Sequence, residues 1–296
     1  MDNALTPGFD RYIAVDWSAR SKPSPVKPTA DAIFMCDTSA QGQTTTYHRT
    51  RHSAFQAVCH SLDDAMAQGQ RVILGFDFAY GYPLGFAKRL TGRASAHAVW
   101  QWMADHIIDA PDNHNNRFAV AGAVNARFPG LGPFWGCPAT VQIDGLPHKG
   151  SLRHGHGMDD QRLTDAQTKG TQSVWKLFTT GSVGSQVLMG LPYLWRLKQR
   201  YGGDLQIWPF DQGGAAPIAC VEIFPSHYSV AYPNPPTDPI YQIKDALQVK
   251  MTCDMLRAVD NCDDWARIMA PAVAADPTHM SQEGWIFGAG LGKITL

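Results

Sequence analysis

Tyr12-Ile13-Ala14-Val15-Asp16 and Val72-Ile73-Leu74-Gly75-Phe76-Asp77 are two short apolar runs that each end on an aspartate. A continuous apolar run without helical spacing reads as a strand buried on both faces, so each aspartate should emerge at a sheet edge where a cleft can form. Ile218-Ala219-Cys220-Val221-Glu222, continuing into Ile223-Phe224-Pro225, repeats the pattern with a glutamate. Acids delivered by central strands to one end of a sheet concentrate negative charge that calls for a cation. A divalent-metal site is therefore expected, with Mg2+ or Mn2+ as the ion, because such ions take oxygen ligands.

Working outward, the segment after the first strand carries Pro23, Pro25 and Pro28 with Arg20, Lys22 and Lys27, and reads as a loop beside Asp16. Ala32 to Cys36 and Thr44 to His48 suggest two more strands and an antiparallel meander. Phe55, Val58, Cys59, Leu62, Ala65 and Met66 recur at helical spacing before Gly69, which predicts an amphipathic helix leading to the strand that ends at Asp77. The result is an α/β unit with a mixed sheet. From about Phe86 to Ala216 the pattern changes, with a helix around Ala96 to Ile108, a glycine- and proline-rich stretch from Phe128 to Gly136 and a polar run from His148 to Gly157. Residues 86–216 are expected to form an inserted helical and loop-rich subdomain, with 1–85 and 217–296 as the core. A loop from Pro233 to Pro239 precedes helical spacing from Ile243 to Val259, with Asp245 in its first turn.

Composition narrows the function classes. The chain has 296 residues, 44% of them hydrophobic, which is ample for a large core. With 25 Lys plus Arg against 26 acids the net charge is -1, so no basic field draws a nucleic-acid backbone. Cys36, Cys59, Cys137, Cys220, Cys253 and Cys262 form no C-x-x-C pair and suit reduced core thiols of a cytoplasmic protein. No stretch approaches the roughly 20 apolar residues of a membrane span, and Met1 to Asp10 has no leader character.

Asp16, Asp77, Glu222 and Asp245 are the candidate catalytic and metal-binding residues. Two Mg2+ or Mn2+ ions about 4 Å apart can activate a water and stabilise the leaving oxygen of a phosphodiester. Each acid also has a plainer explanation: Asp245 would favour the positive end of its helix, and Asp77 could open a turn before Gly81 and Pro83. The order Ile13-Ala14-Val15-Asp16-Trp17-Ser18, Gly75-Phe76-Asp77-Phe78-Ala79-Tyr80-Gly81-Tyr82-Pro83, Glu222-Ile223-Phe224-Pro225, Lys244-Asp245-Ala246 and Glu283-Gly284-Trp285-Ile286 resembles the DUF429 family, predicted nucleases of the ribonuclease H-like superfamily. The resemblance implies a ribonuclease H-like mixed five-stranded sheet flanked by helices, with a large insertion between the fourth and fifth core strands. It also implies that Asp16, Asp77 and Asp245 stand at the metals and that Glu222 fits the family's E-x-x-P pattern. Ribonuclease H enzymes take a further glutamate from the helix after the third strand, where this chain offers only Asp63 and Asp64.

Ser18, Arg153, Ser182 and Gly184 are the substrate-binding candidates. Thr180-Gly181-Ser182-Val183-Gly184-Ser185-Gln186 opens a helix whose free N–H groups could hold an anion, or it is an ordinary cap with glycine for close packing. Arg153 lies in a cluster with His148, Lys149, His154 and His156, where a phosphate contact competes with simple solvation, and Trp135, Trp175 and Trp195 offer stacking or core packing. Three functions compete. The first is a metal-dependent phosphodiester hydrolase acting on a short or structured nucleic acid or a nucleotide-like substrate. The second is an actin- or sugar-kinase-like ATP-dependent phosphotransferase, although no glycine-rich turn follows Asp16. The third is a non-catalytic binding protein of the same fold, linked to cofactor biosynthesis. A homodimer through the insertion is compatible with each.

Overall fold

The computed structural model describes residues 5–211, 215–229, 232, 236–261, 265–289 and 294–295. β1 (Arg11–Asp16) pairs antiparallel with β2 (Ile33–Ser39), which pairs antiparallel with β3 (Gly42–His48). α1 (Arg51–Ala67), capped by the Thr50 side chain, leads into β4 (Val72–Phe76), which lies parallel to β1. Then come α2 (Phe86–Thr91), α3 (Ala96–His106), α4 (Arg117–Asn125), α5 (Leu163–Gln167) and α6 (Gly184–Tyr201). β5 (Leu205–Ile207) and β6 (Ile218–Glu222) return to the sheet, and β7 (Tyr228–Ser229), α7 (Lys244–Asn261), α8 (Trp265–Val273), α9 (Pro277–Glu283) and β8 (Ile294–Thr295) follow. β7 and β8 form a separate parallel pair.

The main sheet is mixed and has six strands in the order β3-β2-β1-β4-β6-β5, not the five expected. The extra strand, Leu205-Gln206-Ile207, is too short to show any periodicity, and it pairs parallel to β6 at the edge. It falls inside the span expected to be inserted, as does α6, whose Val187, Leu188, Leu191 and Leu194 pack into the sheet's own core. Residues 184–207 are thus part of the sheet layer system. A Cβ on Gly190 would meet the Phe78 ring at 2.5 Å, so glycine is what lets α6 lie this close.

Side-chain alternation assigns each strand residue a face. Ile13, Val15, Leu74, Phe76 and Cys220 pack with α1 and α6, while Tyr12, Ala14, Ile73, Ala219 and Val221 pack with α7 and α8. The strands that the sequence marks as apolar throughout are covered on both sides, giving helix, sheet and helix layers. Buried Arg51 ties the loop after β1 in place: its guanidinium donates to the carbonyls of Ser18 and Arg20 at 2.9 and 2.8 Å and forms an ion pair with Asp109. Cys36, Cys59, Cys137, Cys220 and Cys253 are free and buried as expected, whereas Cys262 and residues 233–235 of the loop from Pro233 to Pro239 lie outside the described residues. No described helix is long and apolar enough to cross a membrane.

Candidate active site

β1 and β4 are adjacent and parallel with Val15 opposite Phe76, so Asp16 and Asp77 leave the sheet side by side at its C-terminal edge. By alternation both belong to the face covered by α7, and α7 contributes Asp245 from its first turn. All three line one cleft of about 530 Å³, together with Ser18, Arg20, Asp31, Arg117, Phe178, Ser182, Ser185 and Gln186 among others. The carboxylates are held by backbone amides. Trp17 N–H donates to Asp77 Oδ1 at 2.6 Å, and Asp31 N–H donates to Asp245 Oδ2 at 2.7 Å. Trp17 is itself fixed, its ring buried edge-on against Phe76 and Tyr193 and its carbonyl receiving Gln186 Nε2 at 2.7 Å.

Electrostatics follow from that crowding. Burial first, and then the negative charges of Asp77 and Asp245, push the Asp16 carboxyl well above the usual carboxylate range. Burial also raises Asp77, to about 7, against the opposing amide of Trp17 and a hydrogen bond from Asp16. Both carboxyls are thus raised together, so the buried pair resists carrying two negative charges at once. Burial likewise lifts Asp245, although the amide of Asp31 pulls it back. An oxygen-only set whose carboxyls are raised by burial and crowding suits a hard divalent ion, whose charge can take the place of bound protons. Among the described residues no group of three His, Cys, Asp or Glu side chains is already placed to hold an ion. Mg2+ needs less than that, since it is usually held by one or two carboxylates, several waters and the substrate's own phosphate.

Glu222 is not among the residues of this cleft, although it lines a smaller pocket with Asp77. It sits opposite Phe76, one position short of Asp77, and its side chain points to the other face of the sheet. There Arg162 clamps it with two hydrogen bonds of 2.7 and 2.6 Å, and Tyr80 N–H donates to it at 2.9 Å. Burial pushes the Glu222 carboxyl up and the guanidinium opposes this. Arg162 also pairs with Asp165 and donates to the Glu283 carbonyl, so Glu222 anchors residues 162–165 and α9 to the sheet. Glu222→Gln is expected to cost about 3 kcal/mol, because it leaves a buried cation short of a partner, while Mn2+ affinity stays unchanged. Denaturant unfolding and a calorimetric titration on the same variant check both halves.

The other sequence candidates divide. Ser18 lines the cleft, but its hydroxyl donates to the Asp31 carbonyl at 3.0 Å and braces the wall. Ser182 lines it too. Gly184 is a packing glycine: its N–H is taken by the Lys176 carbonyl at 2.9 Å, and a Cβ would collide with the Val174 carbonyl. Arg153 is not among the cleft residues; it pairs with Asp160 at 2.8 Å and lies over Trp135. Trp175 is buried in an aromatic cluster with Tyr82 and Phe134. Asp63 and Asp64 are committed to Arg200 and Arg11, so neither supplies a further ligand.

Arg117 was not foreseen. It stands alone in an asparagine-rich stretch, and nothing in its neighbours marks it; only the fold brings it to the acids. Thr179, a β-branched residue held at a φ of 85°, and Asp31 at 56° also line the cleft. Such left-handed backbone at non-glycine residues persists where surrounding structure enforces it, often at functional sites. Comparison with protein-family models, curated proteins and solved structures finds no match.

Proposed function

We propose that this cleft is the active site of a nuclease-like, metal-dependent phosphodiester hydrolase of ribonuclease H-like architecture, related to the DUF429 family. The observation that carries it is the pair Asp16 and Asp77, side by side at the ends of neighbouring parallel strands, with Asp245 in the same cleft. An antiparallel β1–β3 meander followed by parallel β4 and β6 supports the architecture.

Asp16 and Asp77, with Asp245 beside them, would hold Mg2+ or Mn2+ in place of bound protons. When bound, the ion supplies charge neutralisation at the phosphate and a more acidic water. The chain's own groups do the rest. Trp17 and Asp31 amides orient the carboxylates, so the site is set before substrate arrives. Asp245, kept partly basic by burial and neighbouring charge, takes the proton of the attacking water as its oxygen bonds to phosphorus and the ester oxygen leaves. Calorimetry with Mn2+ and cleavage of short RNA and DNA, each compared with Asp16→Asn, tests this. A parent chain that binds no Mn2+ and cleaves no faster than the variant would refute it.

A further inference from the structure

The cleft that collects the carboxylates also holds a cation with no counter-ion. Arg117 is 9% exposed, yet among the described residues it forms no ion pair. Its Nε donates to Ser185 Oγ at 3.0 Å, and its Nη1 donates to Ser21 Oγ and Asn115 Oδ1, both at 2.8 Å. These neutral oxygens set the guanidinium plane, Phe118 stacks on it at 4.4 Å, and Nη2 has no partner among the described residues. A buried charge without a counter-ion is costly, and here that cost is met in a cleft rather than a closed core. With Nε and Nη1 committed, the guanidinium is oriented and Nη2 is left to donate, which suits a phosphate oxygen.

A second feature lines the same cleft. Phe178 is 39% exposed, one of few large apolar side chains so exposed, and it lines the cleft. An open aromatic face beside a phosphate position is how proteins hold a base without reading its identity. The volume of about 530 Å³ suits one drug-sized ligand. A net charge of -1 supplies no track for a long backbone.

We propose that Arg117 binds the phosphate of the substrate and Phe178 stacks on the attached base, so that the cleft takes a single nucleotide unit, free or at the phosphorylated end of a short strand. The substrate class named here rests on the hydrolase assignment above, whereas binding at Arg117 and Phe178 can be measured without it.

The probe is adenosine 5'-monophosphate, titrated calorimetrically into the full chain with and without Mn2+. One molecule is expected to bind, inorganic phosphate to compete with it, and adenosine alone to bind at least about tenfold more weakly, as loss of charge-assisted hydrogen bonds implies. Arg117→Gln should weaken the nucleotide by about tenfold or more while Mn2+ alone binds within about threefold of the parent. Phe178→Ala should weaken the nucleotide by about fivefold or more, the scale of one stacked base, and leave inorganic phosphate unchanged. Should Arg117→Gln fail to fold, competition between phosphate and nucleotide on the parent chain decides. Absence of nucleotide binding to the parent, lack of that competition, or an Arg117→Gln affinity equal to the parent's would overturn the assignment. Nucleotide binding that depends on Arg117, in a parent that takes up no Mn2+, would uphold it and refute the hydrolase instead.

Discussion

Asp16→Asn is expected to lower Mn2+ affinity by on the order of 100-fold or more, since even residues that merely support a ligand cost up to about that much, and to abolish metal-dependent cleavage. The same variant should be more stable than the parent in metal-free buffer at pH 8. The sign follows from the raised carboxyl of Asp16, which burial and the charges of Asp77 and Asp245 keep protonated in the folded chain. An unfolded carboxyl ionises near about 3.9, so above that pH folding must take up a proton, and the stability of the parent falls as pH rises toward the folded value. An amide at position 16 removes this penalty, and its NH2 can still donate to Asp77. The gain grows as pH rises above about 4, where the unfolded carboxyl ionises, and vanishes below it; a higher melting temperature of the variant at pH 8 registers it. A variant with the parent's Mn2+ affinity, or one less stable than the parent at pH 8, would count against the shared carboxylate site.

Mn2+ affinity of the parent should climb by about tenfold per pH unit between about pH 5 and 7, because loading must displace a proton from the Asp16 and Asp77 pair. Asp77 titrates at about 7, and Asp245 is raised as well, so the climb belongs at neutral pH and not near pH 4. Asp31 adds to the negative field at Asp16. Calorimetry in two buffers of different protonation enthalpy should register proton release on loading, at least one per ion at pH 6. Ordinary exposed carboxylates would give a flat profile above about pH 5, and that result would remove the argument for a buried, proton-bearing pair.

Much of this architecture could be read before any coordinates. Apolar runs ending at Asp16, Asp77 and Glu222 do end strands β1, β4 and β6, because burial on both faces leaves an unmistakable hydrophobic signature. Asp245 falls in the first turn of α7, as helical spacing placed it. What failed depends on register and on distant partners. Glu222 shares the pattern of the two aspartates, but a one-residue offset against β4 turns it to the opposite face, and no single strand sequence encodes its offset from a neighbour. Its partner Arg162 lies sixty positions away in a stretch that looks like loop. β5 is too brief for a pattern, and Arg117 carries no local mark.

Two of the buried ion pairs, each joining distant parts of the chain, have a consequence for anyone reshaping it. Arg51 from α1 is matched by Asp109, and Glu222 from β6 is matched by Arg162; in each case a scaffold residue meets a charge from the long excursion between β4 and α6. Excising that excursion to obtain a minimal core would strand one cation and one anion in apolar surroundings. A grafted or shortened version would have to replace Arg51 and Glu222 together with the loops it deletes.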